Sequence, residues 1–379
     1  MKRNLISLFA AIVCILALTS CEKEENLFII TDEANHKIGF MNPSGEVVIK
    51  PQFDRINNNK RESYEYGIKV FFNEGLEAVS IGSQWGYIND KGEFVVNPQY
   101  DEAYNFRDGL ALVKLGDKYG FIDKNGKYAI YPQFTWAWPF SEGLAGVKVK
   151  DKYGYIDKNG NFVIEPQFRE VGVFSEGLAR VALDGNWGFV DKKGNYVVNP
   201  QYDYAHDFHE GIAMVLIDGE GAYIDKKGNV IVKHLDVNDW DKVNDFHEGR
   251  AVIQKDGLFG VIDKEGRYVV SPKYDRMLPK YNEGLLGVEL DDLWGFIDKE
   301  GKMVINPKYD NVDSFYEGMA AVEIDDRCGF IDKNGNYAID LKFRRFKIGF
   351  VLGDVALVKL DRDEAWIDKT GKVLWVGDL

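Results

Sequence analysis

The side chains with chemical potential are few and scattered. His206-Asp207-Phe208-His209 holds the closest pair among five histidines, and His247 follows His209 by one repeat. Imidazoles ligate metals, but on a strand positions i and i+3 face opposite sides. The pair therefore reads as loop histidines, and no metal is expected. Asp123-Lys124-Asn125-Gly126 shares vocabulary with calcium loops but lacks the further acids and the terminal Glu of an EF-hand. It reads instead as a hairpin turn. Cys328 stands alone, with no histidine near it in sequence, and reads as a small buried hydrophobe rather than a nucleophile. The chain contains no G-x-S-x-G, no H-E-x-x-H, no C-x-x-C and no Gly-rich phosphate loop. Neither catalytic residues nor a cofactor are expected. A carboxylate pair assembled from distant segments keeps a hydrolase as the least favoured reading.

The remaining candidates are aromatic. Tyr104, Trp136, Trp138 and Trp240 lie in a segment whose composition changes from copy to copy while its flanks do not. Variable loops on a regular scaffold are common recognition sites, and such rings stack on sugars. The same rings could equally pack between units. Mature-chain disulfides are excluded by cysteine count. A net charge of -14 argues against nucleic acid, whose phosphates need a Lys/Arg surface.

These residues are carried on a repeating text. Trp187 opens WGFVDKKGNYVVNPQYD, and close copies open at Ile38, Trp85, Tyr119, Tyr153, Gly221, Phe259, Trp294, Cys328 and Glu364. Five of the nine spacings are 34 residues, and the first is 47, its surplus lying between Asn57 and Phe72. Insertions confined to one connection fit a unit that is one supersecondary motif. Strand one is the Gly-Leu-Ala segment, such as Leu110 to Leu115. Strand two is the opener, such as Tyr119 to Ile122. Strand three ends at Pro132 in the same copy. Asp-Lys-Asn-Gly joins strands two and three as a type I turn followed by a left-handed Gly. The Gly after the opener aromatic sits inside a strand, so a neighbouring aromatic or the next unit is expected to pack over it. The expected fold is all-β: a tandem array of about ten three-stranded antiparallel units in an open superhelical stack. A closed β-propeller-like ring is the alternative. Four-stranded blades and a shared strand joining the ends would mark the ring.

The first residues read differently. Lys2 and Arg3 precede an apolar run from Leu5 to Leu18, too short for a confident membrane span. Leu18-Thr19-Ser20-Cys21 resembles a bacterial lipobox, which implies a signal peptide over 1–20 and lipidation of Cys21. The tether 21–26 begins Cys-Glu-Lys-Glu-Glu, which resembles the export signal of Bacteroidetes lipoproteins. That resemblance implies an outer-membrane lipoprotein on the cell surface, with a periplasm-facing one as the alternative. The repeat domain then covers 27–379.

Trp85-Gly86, Trp187-Gly188 and Trp294-Gly295, each followed by an aromatic, Ile or Val, Asp, Lys and Gly, resemble the WG-repeat proteins. The resemblance covers 38–379. Ala222 and Ala365 depart from it at the Gly position, and Asp340-Leu341 at the Asn-Pro position, so the sixth and ninth units are expected to be less regular. The family implies an exported β-repeat protein without catalytic residues. The expected function is a non-catalytic envelope binding module for protein or glycan, with a structural envelope scaffold as the alternative.

Overall fold

A computed structural model describes residues 27–32, 34–56, 69–70, 72–235, 245–351, 355–361 and 363–377. The expected Cys21 and Trp240 lie outside them. Nearly all the regular structure of the described chain is strand, gathered into ten antiparallel sheets. Each sheet is one sequence repeat, and blades are numbered here by their openers, Ile38 being the first. Blade four shows the plan. Its short strand Trp136–Ala137 pairs with strand one, Ala145–Val149; strand two, Lys152–Ile156, follows; strand three, Phe162–Phe168, forms the far edge. Nine of the sheets are four-stranded in this way, and blade seven shows three strands among the described residues.

The ten blades form a closed β-propeller, and this overturns the expected open stack of three-stranded units. The missing strand is the two-residue pairing just after Pro-Gln-aromatic. Trp136 and Ala137 pair with Lys148 and Val147, but two residues carry no visible alternation. Closure needs no shared strand either. The Gly of each strand two–three turn presses on the middle of the previous blade's strand three: Gly160 on Ile130, Gly194 on Ile164, Gly335 on Ile305. Gly45 of blade one presses on Leu374 of blade ten in the same way. Phe28 lies 5.4 Å from Trp366, whose indole N–H donates to the Ile29 carbonyl at 2.9 Å. The last interface thus repeats the others, with its own apolar cluster of Phe28, Ile30, Met41, Val355, Leu357 and Trp366.

The long first spacing has a topological use. Lys69–Val70 pairs with Leu27–Phe28 and supplies the short strand of blade one from residues that follow its strand three.

The turn chemistry follows the text. In Asp191-Lys192-Lys193-Gly194 the Gly194 N–H donates to the Asp191 carbonyl, and the Asp191 carboxylate accepts from the Lys193 and Asn195 amides. Gly194 has φ +85°, open to Gly without a Cβ clash. The Gly inside strand two has a different reason from the one expected. A Cβ on Gly188 would lie 2.6 Å from the Val198 carbonyl oxygen and the Pro200 nitrogen, both in the same blade. Strand three bulges across it: Trp187 pairs with Tyr202 and Phe189 with Val198. Where Ala222 replaces the Gly, the bulge shrinks, Gly221 pairing with Leu235 and Tyr223 with Val232. At Ala365 the ladder runs straight through, Ala365 pairing with Val376 and Trp366 with Trp375. Blade nine keeps Gly329 and the full bulge despite Asp340-Leu341, so it is as regular as blade eight. Strand two is buried on both faces, Phe189 in one apolar cluster and Val190 in the next.

Candidate functional site

The two ends of the blades form two different faces. One carries the Glu-Gly turns before strand one together with the Asp-Lys-x-Gly turns. Glu176 (φ +53°) and Gly177 (φ +86°) make a two-residue turn closed by paired bonds between Ser175 and Leu178. A left-handed Glu is unfavourable, and its carboxylate explains its place. Glu176 accepts from the Gly211 N–H of the next blade at 2.8 Å and holds Lys226 of that blade at 3.0 Å. Glu142, Glu210, Glu248 and Glu283 repeat the clamp on Gly177, Gly249, Gly284 and Gly318. Partial burial raises the Glu176, Glu210 and Glu248 pKa values. The lysine and amide donors outweigh it and leave all three below the ordinary range.

The variable aromatics sit along the short strands. Trp138 is half-buried, and its indole N–H donates to the Val171 carbonyl of the next blade at 3.1 Å. Gly146 leaves it room, since a Cβ there would come within 3.1 Å of the indole. Tyr104 packs on the blade three–four core, and its hydroxyl donates to Glu102 at 3.1 Å. Tyr119 and Lys114 also donate to Glu102, at 3.2 and 2.8 Å. Burial pushes the Glu102 carboxyl up, but these donors hold it below the usual range. Trp136 is different: it is 37% exposed, its ring meeting those of Tyr119 and Trp138 edge-on at 5.5 and 6.0 Å. The structure thus brings Tyr104, Trp136 and Trp138 into one stretch of blades three and four, and two of the three are structural.

The histidines do not converge. His206 lies 5.6 Å from the Tyr204 ring, and His209 faces Asp245 of the next blade at 3.6 Å. No metal-holding cluster occurs among the described residues. Cys328 is buried, and burial first, then the Glu323 charge, pushes its thiol up to about 12. It fills an opener position as an inert hydrophobe.

One network escaped the sequence reading. Arg180 lies over the Trp187 ring at 5.3 Å, faces Asp207 of blade six at 3.0 Å and donates to the Ala205 carbonyl at 2.7 Å. Gly172 makes space for it, because a Cβ there would lie 2.6 Å from the Arg180 side chain. The signal was present as a swap: blade four pairs Trp138 with Gly146, and blade five pairs Gly172 with Arg180. Only superposed copies show that these two positions touch.

No curated protein matches the chain. Among solved structures, one titled as the eukaryotic initiation factor is similar over 83% of this chain and 94% of its own, at 11% identity and a TM-score of 0.51. It supports the overall fold alone. Dihydro-heme d1 dehydrogenase NirN aligns with 93% of this chain and 72% of its own at 13% identity, with a TM-score of 0.42. PorZ of Porphyromonas gingivalis aligns with 90% of this chain and 55% of its own at 10% identity, with a TM-score of 0.29. Neither of these two carries an argument. The repeat described as WG containing repeat matches residues 38–69, 85–119, 119–153, 153–187, 187–220, 222–259, 259–294 and 294–328. These segments span more than half of the sequence, and the chain belongs to the WG-containing repeat family.

Proposed function

We propose that this protein is a non-catalytic structural scaffold of the bacterial cell envelope, tethered by a lipid on Cys21 to the outer membrane and displayed at the cell surface. The observation that carries the reading is how the chemically capable side chains are used. The repeated glutamates clamp the next blade, Arg180 and Asp207 join blades five and six, and Trp138 and Tyr104 are engaged in packing. A ring whose reactive groups are committed to holding its own shape suits a rigid platform for protein partners. Lysis-free crosslinking of the full chain in its envelope, followed by mass spectrometry, tests this. The reading expects a stoichiometric protein partner and no turnover of a broad glycan and ester panel. Turnover that a single carboxylate substitution abolishes would sink it. For the tether, Cys21→Ala should move the chain from the membrane to the soluble fraction; unchanged fractionation would refute lipidation.

A second reading, a binding module for protein or glycan, is favoured by Trp136 alone. Its exposed ring stands where blades three, five and eight carry Glu102, Glu170 and Arg276, and where blade six carries the less exposed Tyr204. Saccharide binding lost in Trp136→Ala at unchanged stability would favour it over the scaffold.

A further inference from the structure

One buried acid has no part in the clamp. Glu77, in strand one of blade two, is 2% exposed, and its Oε2 has no hydrogen-bond partner. It shares a sheet face with Val79 and with Ile88, its partner across the ladder. Those two pack on Phe40, Ile49 and Phe53 of blade one. Glu77 therefore points into the apolar seam between blades one and two. The other blades show what usually stands there. Blades three to seven, nine and ten place alanine at this register position, Ala111 and Ala179 among them. Ala111 shares the next seam's cluster with Tyr87 and Phe106. Blades one and eight place Phe28 and Leu286. An ionisable group occurs at this position in blade two alone.

Among the described residues no cation faces this acid. Blade one brings only apolar side chains to the seam cluster. Lys37 of blade one is held by Asp54 at 2.6 Å, and Lys50 is exposed. Glu74, at the turn before the strand, is paired with Lys124 at 3.1 Å. The Tyr87 phenol of the same blade feels the Glu77 charge, but its hydroxyl donates to the Tyr104 carbonyl at 2.7 Å. Burial alone pushes the Glu77 carboxyl well above its ordinary range. An unpaired carboxylate is too costly in such a site, so the closed seam holds the acid neutral.

We propose that the blade one–two seam is a proton-dependent gate in the ring, closed over neutral Glu77 and opened when that carboxyl ionises. Opening here parts blade one from blade two, while Phe28 and Trp366 keep blade one on blade ten. Each blade packs only on its neighbours, so one seam opens without melting the rest. Linkage sets the sign. Below the solvent-exposed Glu value of about 4.3 both states carry the proton. As pH rises through that value, the open seam loses a proton that the closed seam keeps. The opening constant then grows about tenfold per pH unit until the raised pKa of the closed seam is reached. The glutamate clamps run the other way and weaken in acid. The gate depends on neither the envelope tether nor the scaffold reading.

Hydrogen exchange of the full chain tests it, read by mass spectrometry on peptides covering 76–88 and corrected for the intrinsic exchange rate. From about pH 5 to about pH 7 the protection of these peptides should fall by at least about tenfold, while that of 178–190 in blade five holds. Glu77→Gln should abolish the fall. Glu77→Ala, which installs the residue of most other blades, should abolish it too and leave the seam better protected at the upper pH. Wild-type protection that does not change with pH overturns the proposal. So does a fall that Glu77→Gln retains, or one that blade five shares, which marks unfolding of the whole ring.

Discussion

Glu210 is held left-handed at φ +51°, which costs a side-chain-bearing residue about 1 kcal/mol. What offsets that cost lies in the next blade, where Gly249 N–H donates to it at 2.8 Å and Lys264 stands at 3.1 Å. Glu210→Ala removes both and leaves the amide without its acceptor. The expected loss is about 1 kcal/mol, discounted for partial exposure, and read from the urea midpoint. The clamp also sets an acid limit. Burial raises the Glu176, Glu210 and Glu248 pKa values, the donors lower them more, and the net values lie below the unfolded range. A lowered folded pKa means stability fully present above the unfolded value of about 4.3 and lost as pH falls through the folded one. The thermal midpoint should therefore hold from pH 7 to 5 and drop below that, less steeply in Glu210→Gln. A midpoint indifferent to acid would contradict the clamp. Among the aromatics, Trp138→Ala empties an interface and breaks its bond to Val171, an expected loss of about 3–5 kcal/mol. Trp136→Ala should stay within about 1 kcal/mol, since its ring is 37% exposed. Denaturant melts of the two variants separate a packing residue from a free one. The sequence marked both positions as variable, but variability alone does not say which ring meets solvent.

At the scale of the element, the strand two Gly and the strand three bulge are one device. Gly188 lets the Val198 carbonyl and Pro200 cross at a distance no Cβ tolerates. The bulge and the proline interrupt an edge strand that would otherwise offer a free ladder. Gly188→Ala is therefore expected to cost about 1–3 kcal/mol through overpacking. Ala222→Gly, in a blade whose bulge has already shrunk, should change the unfolding free energy by less than about 1 kcal/mol, the usual Ala-to-Gly difference. Equal effects at the two positions would separate Gly from bulge. The hairpins and turns were legible in the text because Asp-Lys-x-Gly satisfies its own backbone within five residues. The short fourth strand was not, because Trp136 and Ala137 acquire their partners only when Val147 and Lys148 return beside them.

At the scale of the molecule, copy number was readable and closure was not. Ten openers can be counted, but ring or superhelix is decided by a small rotation per repeat that no single residue encodes. The expected marker of a ring, a strand shared between the ends, is absent among the described residues; Gly45 on Leu374 and Trp366 on Ile29 do its work face to face. The first spacing pointed the same way in retrospect, since its extra residues return as Lys69–Val70 to complete blade one. The most direct test is the distance between the first and last blades. Spin labels at Ser44 and Val373, both exposed on adjoining blades of the closed ring, should give a separation of about 20 Å by pulsed electron resonance, two sheet spacings at most. An open stack of ten units at about 10 Å each would place them on the order of 90 Å apart, and a distance of that size would contradict the ring.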